Sequence, residues 1–215
     1  MNLIRAVKHT INGDLYENLD MIFPWKFRKI VRRFLYKNYS SMLTKDKIKK
    51  LLKKENPIIL EIGANNGRDT REFLFTFKNC SIYCFEPDLR AIRKFKDRVQ
   101  DRRCKLFEVA VGDHDGFATF YISAGWGMKG GWDGASSIKK PKEVLKLGLT
   151  FEKKMEVKTL KLDTWVKENN IEKIDFIWAD VQGAERDLIV GGIKTLNDKT
   201  KYLYTEFSDE ELYEG

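Results

Sequence analysis

This chain of 215 residues has few cysteines and no long apolar run. The three cysteines, Cys80, Cys84 and Cys104, are odd in number and match no zinc or redox spacing, so they indicate neither a disulfide framework nor structural zinc. No apolar stretch approaches the roughly 20 residues that span a bilayer. Arg5 and Lys8 interrupt the apolar residues at the N-terminus, where a signal peptide would need an apolar core. We therefore expect a reduced, cytoplasmic environment and no transmembrane segment.

The positive charge of the chain is concentrated in its first quarter. The net charge is +8, yet residues 1–55 carry 14 Lys and Arg against 5 Asp and Glu, whereas the remainder carries 26 against 27. Residues 25–37 are typical of a basic amphipathic helix. Such a helix either contacts an anionic membrane surface peripherally or covers the core with its apolar face. We expect a basic helical segment over 1–55 and a separate core over 56–215.

From Pro57 onwards, predicted strands alternate with predicted helices. The strands are expected at 58–62, 81–85, 105–111, 117–122, 155–161, 174–179 and 201–207, and the helices at 69–77, 89–99, 163–169 and 184–190. This alternation predicts an α/β fold with a mostly parallel sheet and helices on both faces. Acidic residues lie at or near the predicted carboxyl ends of four strands, where such sheets bind ligands: Glu61, Glu86, Asp180 and Glu206.

A glycine-containing loop follows the first strand. Gly63 and Gly67 allow a tight turn and close approach to a ligand, and Glu86 lies 19 residues beyond Gly67, where nucleotide-binding βαβ units place a carboxylate for ribose. Asn65 stands where a dinucleotide fingerprint has its middle glycine. Glu61 would repel a pyrophosphate but attract the ammonium and sulfonium groups of S-adenosylmethionine. The loop therefore favours that cofactor over NAD or ATP.

Six ordered motifs between Pro57 and the last residue together resemble the FkbM-type methyltransferase family. They are LEIGANNG (60–67), FEPD (85–88), AVGD (110–113), TLKLDTW (159–165), DVQGAE (180–185) and YTEF (204–207). The resemblance implies a Rossmann-like class I methyltransferase that uses S-adenosylmethionine. It also implies a hydroxyl acceptor on a sugar of a glycan, glycolipid or related natural product.

The resemblance also implies roles for individual residues. Contacts to the methionine part of the cofactor are expected from Glu61, Gly63, Asn65 and Gly67, contacts to the ribose from Glu86, and a contact near the adenine from Asp113. Asp180 is the first candidate for the base that accepts the hydroxyl proton, and Glu206 is the second. The alternative for Asp180 is to cap the following helix.

Two departures from the family pattern stand out. Gln182 replaces the first Glu of the usual DVEGAE sequence, and a neutral amide cannot act as a base. The antiparallel pair of strands that ends the usual fold has no counterpart here, so we expect a fragment of a longer protein with one open sheet edge. Asp180 with Glu185 or Glu206 offers oxygen ligands to a divalent metal, although their spacing does not require one.

Three other interpretations stay open from the sequence. The basic N-terminus is compatible with a nucleic-acid methyltransferase, although the segment after Asp180 lacks the proline and aromatic ring that often stack on a flipped base. An NAD-dependent oxidoreductase conflicts with the charge of Glu61. A cofactor-binding module without turnover is the third. Residues 123–137 form a long loop rich in glycine with Trp126 and Trp132, and this loop is either functional or a simple flexible connection.

Overall fold

The computed structural model describes residues 43–125, 133–143, 149–206 and 211–214. Contacts divide the chain into a unit of Met1–Thr44 and a unit of Lys45–Gly215, and nearly all described residues belong to the second. The predicted basic helix at 25–37 and the two tryptophans of the glycine-rich loop lie outside the described residues. Within the described part of the chain, no helix is long and apolar enough to cross a membrane.

A parallel five-stranded sheet forms the centre of this unit. Its strands are β1 (Ile58–Ile62), β2 (Ser81–Phe85), β3 (Cys104–Phe107), β7 (Phe176–Ala179) and β8 (Leu203–Thr205), in the order β3-β2-β1-β7-β8. All four pairings are parallel. Parallel neighbours require crossover connections, which the intervening helices supply. The predicted parallel α/β fold is confirmed, and β8 is the outermost strand on its side among the described residues.

Helices cover both faces of this sheet. On one face, α1 (Lys45–Leu52), α2 (Arg68–Thr76) and α3 (Leu89–Arg98) follow one another, and Phe73 of α2 packs edge-on against Trp178 at 5.9 Å between ring centroids. On the other face lie α4 (Leu162–Glu168) and α5 (Glu185–Gly191), followed by the short α6 (Ile193–Asp198). Trp165 and Leu188 pack there against the alternate residues of β1 and β7. The core is therefore a three-layer arrangement with the sheet in the middle.

The predicted strand 105–111 is wrong as a single element. The chain turns after Phe107, where the N–H of Val109 bonds back to the Phe107 carbonyl at 3.0 Å. Residues Ala110–Gly112 form β4, which belongs to a second sheet with β5 (Gly116–Gly125) and β6 (Leu149–Lys161), in the order β4-β6-β5. Strands β5 and β6 extend beyond the predicted ranges 117–122 and 155–161, because they form an antiparallel pair along most of their length.

Candidate functional site

The neighbouring strands β2, β1 and β7 all end at the same edge of the sheet, where the loops that follow them lie side by side. The N–H groups of Gly63 and Ala64 both bond to the Phe85 carbonyl at 3.0 Å, which ties the loop after β1 to the end of β2. The N–H of Asp180 bonds to the Ile62 carbonyl at 2.9 Å, which ties the end of β7 to the end of β1. The carboxyl ends of parallel strands are the usual ligand-binding edge of such sheets.

The loop 63–67 needs its two glycines for different reasons. Gly63 has φ +84°, and a Cβ at this position would lie 1.8 Å from the carbonyl oxygen of Asp180. Gly67 has φ +75°, and its Cβ would lie 2.6 Å from Val99 and 2.8 Å from the Phe95 ring on α3 and its C-terminal cap. Gly63 thus allows the backbones after β1 and β7 to touch, and Gly67 allows α2 to begin close to α3. Asn65 between them also takes positive φ, +43°.

Glu86 is a buried carboxylate at the end of β2 that the backbone holds in place. Its Oε2 accepts a hydrogen bond from the N–H of Asn65 at 2.7 Å, and its Oε1 accepts one from the N–H of Asp88 at 2.8 Å. Burial raises the pKa of Glu86 to about 8, although both N–H donors act in the opposite direction. A rigid carboxylate with unused lone pairs beside a glycine loop is suited to bind two neighbouring hydroxyls, such as those of a ribose.

Glu61 lies within β1 rather than in the loop. The alternation of the strand directs it to the α2 face, where its Oε2 accepts a hydrogen bond from the Thr70 hydroxyl at 2.6 Å and lies 3.7 Å from the Cys84 thiol. Only 1% of Glu61 is exposed, and burial, followed by the negative charge of Asp69, raises its pKa to about 8. Attraction of Glu61 for a cation requires its ionised form, which burial disfavours. Its role toward a cofactor stays a prediction.

Asp180 stands directly after β7 and faces several other acids. Burial, followed by the negative charge of Glu206, raises the pKa of Asp180 to about 7, and Asp69 and Glu185 add to this effect. Its Oδ1 accepts a hydrogen bond from the side-chain amide of Gln182. The alternative role as a helix cap is not observed, because Ala184 occupies the N-cap of α5 and no side chain caps that helix. A carboxyl group with a pKa raised in this way is suited to accept a proton near neutral pH.

The other acids of this edge differ in exposure and partners. Glu206 follows β8, is exposed, and contributes negative charge to Asp180. Asp69 in the first turn of α2 pairs with the buried Lys45, whose ammonium lies 3.5 Å from the centroid of the Trp178 ring. Lys45 thus supplies positive charge on the α1 side of this edge. Among the described residues, no group of three metal-binding side chains is arranged to hold a metal ion.

Asp113 has its described contacts away from the other predicted cofactor residues. It lies in the turn between β4 and β5, where it bonds to His114 Nδ1 at 2.7 Å, and this bond lowers its pKa. Its backbone is in contact with Gly191 at the C-terminal end of α5, because a Cβ on Gly191 would lie 3.2 Å from the Asp113 Cα. Asp180 and Glu185 lie at the opposite end of that helix. The contact of Asp113 with adenine stays a prediction.

The structure adds residues that the sequence did not single out. Tyr213 is buried, its ring covers Gly183, and its hydroxyl lies 2.9 Å from the Ala135 carbonyl and 3.2 Å from Gln182 Oε1. Arg90 pairs with Asp88 and bonds to the Ser123 carbonyl and the Ser136 hydroxyl. These contacts fix both described ends of the glycine-rich loop against α3. No spacing in the sequence could have revealed the contacts of Tyr213 with Ala135 and Gln182 or those of Arg90 with Ser123 and Ser136, since each joins residues more than 30 positions apart.

Comparison with known proteins agrees with this geometry. The model of the methyltransferase FkbM domain matches residues 61–215. The chain is also 44% identical over 179 residues to "2-O-methyltransferase NoeI" of Sinorhizobium fredii (strain NBRC 101917 / NGR234), covering 82% of this chain and 73% of that protein. The predicted methyltransferase is confirmed, and the oxidoreductase and the module without turnover are set aside. The chain belongs to the FkbM family of S-adenosylmethionine-dependent methyltransferases.

Proposed function

We propose that this protein transfers a methyl group from S-adenosylmethionine to a hydroxyl of a sugar in a glycan, glycolipid or related natural product. The observation that carries the proposal is the position of Asp180 directly after β7, where its backbone touches Gly63 of the glycine loop. Burial and the negative charge of Glu206 raise the pKa of its carboxyl group to about 7. The similar protein whose name describes a 2-O-methyltransferase supports oxygen as the acceptor atom.

The described residues fit the proposed cofactor. The loop 63–67 turns tightly at Gly63, where a Cβ would collide with the Asp180 carbonyl, and Glu86 presents a fixed carboxylate at the end of the neighbouring strand. We assign Gly63, Asn65 and Gly67 to the methionine part, with Glu61 behind them, and Glu86 to the ribose hydroxyls. Asp113 keeps its proposed place near the adenine. When bound, S-adenosylmethionine supplies a methyl group on a positively charged sulfur, which makes the methyl carbon electrophilic.

Asp180 would accept the proton of the acceptor hydroxyl. A hydroxyl is a poor nucleophile while protonated, and a positioned base adds about 10²–10⁴-fold to the rate. Because the ionised form of Asp180 is required, the rate is expected to rise with pH through about 7 and then level off. Glu206 is the second candidate for the base. Its exposure makes it equally suited to bind other hydroxyls of the sugar.

The test is methyl transfer from labelled S-adenosylmethionine to a panel of nucleotide sugars and glycolipids. We expect Asp180→Asn to lower kcat by about 10²–10⁴-fold without loss of S-adenosylhomocysteine binding, and Glu206→Gln to have a smaller effect. Asp101→Asn is the matched control. Asp101 pairs with Arg103 just before β3, at the edge of the sheet opposite to the candidate site, so its loss should leave kcat unchanged. A rate for Asp180→Asn equal to that of the wild type would remove the assignment of the base.

The basic N-terminal quarter suggests where such an acceptor is met. We propose that residues 25–37 contact an anionic membrane surface peripherally, on the cytoplasmic side, where lipid-linked sugars would be accessible. This part of the proposal rests on the sequence pattern alone.

A further inference from the structure

Gln182 connects the proposed base to a buried tyrosine through a chain of side chains. Its Nε2 donates to Asp180 Oδ1, and its Oε1 lies 3.2 Å from the hydroxyl of Tyr213. The same hydroxyl lies 2.9 Å from the Ala135 carbonyl. The donor end of the amide therefore meets a carboxylate, and its acceptor end shares the single hydroxyl proton of Tyr213 with the Ala135 carbonyl.

The backbone of Gln182 supports a specific role for this contact. Its φ is +51°, in the left-handed region that residues with a Cβ rarely adopt. Backbone strain of this kind persists only where surrounding contacts impose it, and it occurs often at functional sites. The two side-chain bonds of Gln182 and the Tyr213 ring over Gly183 are such contacts.

Tyr213 is held independently of Gln182. The segment 211–214 bonds to residues 140–142 through the Lys142 N–H to the Leu212 carbonyl at 2.9 Å and the Glu214 N–H to the Lys140 carbonyl at 2.8 Å. In the reverse orientation the amide oxygen would face the Asp180 carboxylate, and two acceptors would oppose each other, so ionised Asp180 itself favours the orientation that donates to it.

We propose that Gln182 is a positioning residue whose amide holds Oδ1 of Asp180 and leaves the other carboxylate oxygen for the acceptor hydroxyl, with the Tyr213 hydroxyl beside the acceptor end of the amide. This inference rests on the proposed role of Asp180 as the base. An amide can donate to a carboxylate, whereas an ionised glutamate in its place cannot.

The electrostatic surroundings explain why the donor matters. Charged and titratable groups approach Asp180 from every neighbouring element: Glu206 after β8, Asp69 on α2 with its partner Lys45 on α1, Glu185 on α5, and the hydroxyls of Tyr204 and Tyr213. Glu206, Asp69 and Glu185 each raise the pKa of Asp180, and Gln182 is the hydrogen-bond donor that lowers it. A carboxylate at position 182 would remove the donor and add another negative charge.

The experiment reads the pKa of Asp180 directly and needs no acceptor. Protein labelled with ¹³C at the aspartate carboxyl carbons is titrated by NMR, and the Asp180 resonance is assigned by its absence in Asp180→Asn. We expect the apparent pKa to rise by about one to two units in Gln182→Met, which loses the donor, and by more in Gln182→Glu. Tyr213→Phe, which keeps the ring on Gly183, should give a smaller rise.

Thermal unfolding and binding of S-adenosylhomocysteine provide the check on folding. A purely structural role for Gln182 would lower the melting temperature and leave the Asp180 titration where it was, and this result would overturn the inference. If Gln182→Glu does not fold, Gln182→Met and Tyr213→Phe decide the question alone. Failure of the proposed function is separate, because it would be seen as no methyl transfer by the wild-type protein. Failure of the base assignment would be seen as full methyl transfer by Asp180→Asn, whatever the titrations show.

Discussion

Replacing Gly63 by alanine perturbs the contact between the loop after β1 and the end of β7. The new Cβ would lie 1.8 Å from the Asp180 carbonyl oxygen, whereas real Cβ atoms essentially never come closer than 3.0 Å to another heavy atom. One of the two backbones must therefore move by more than 1 Å. In addition, alanine at φ +84° costs about 1–2 kcal/mol, which corresponds to roughly 2–8 °C in Tm for a domain of this size.

The displacement should affect the cofactor more than the fold. A loop moved by about 1 Å loses the hydrogen bond from the Asn65 N–H to the Glu86 carboxylate, and a hydrogen bond to a charged group is worth about 1.5–3 kcal/mol. Because this bond holds the proposed ribose-binding carboxylate, we expect calorimetry to show affinity for S-adenosylhomocysteine reduced by roughly 10–100-fold. Gly116→Ala is the matched control, because Gly116 also has positive φ, +149°, but its Cβ would meet only the His114 ring at 3.7 Å. Its Tm should fall while its affinity stays unchanged. The reasoning is refuted if Gly63→Ala folds and binds as tightly as the wild type.

Three further predictions follow from the buried carboxylates and the basic segment. The pKa of Glu61 is raised from its ordinary value to about 8, so its contribution to stability is present below about pH 4.5 and lost as the pH rises through 8. Glu61→Gln should therefore unfold at a higher temperature than the wild type near pH 9 and show little difference near pH 5; an equal difference at both pH values would contradict this. Glu86→Gln leaves one backbone N–H without an acceptor. Equilibrium dialysis should then show weaker binding of both adenosine and S-adenosylhomocysteine. Weaker binding of S-adenosylhomocysteine alone would place Glu86 away from the ribose. Reversing Arg28, Arg32 and Arg33 to Glu should release the protein from anionic vesicles in flotation assays; unchanged flotation would remove the membrane proposal.

The sequence predicted the parallel sheet well because each of its strands carries a local signal. β1, β2 and β7 are short apolar runs bounded by helices, and such runs are typical of strands buried on both faces. The second sheet was not predicted as a separate body. Its strand β4 follows β3 after two residues, and the local pattern of 105–111 does not record that Glu108 and Val109 turn the chain toward a different partner. Pairing between distant strands, here β5 with β6, extended both beyond their apolar patterns.

For the candidate site, the sequence indicated which residues meet at the edge of the sheet but not how exposed they are. The glycines of the loop and the acids that follow the strands are fixed by chain position, since strand ends meet at one edge of a parallel sheet. The exposure of these acids was not predictable, because it depends on which helix covers each strand end. Glu61 lies under α2 and is 1% exposed, whereas Glu206 is exposed. The contact of Tyr213 with Gln182 depends on how the segment 211–214 folds back, and no residue pattern near either position encodes it.

The most direct test of the central claim is a crystal structure with bound S-adenosylhomocysteine. The account predicts the ribose hydroxyls within about 3 Å of the Glu86 carboxylate, the methionine part over the loop 63–67, and the sulfur on the side of Asp180. A cofactor bound away from the Glu86 carboxylate and the loop 63–67 would contradict it.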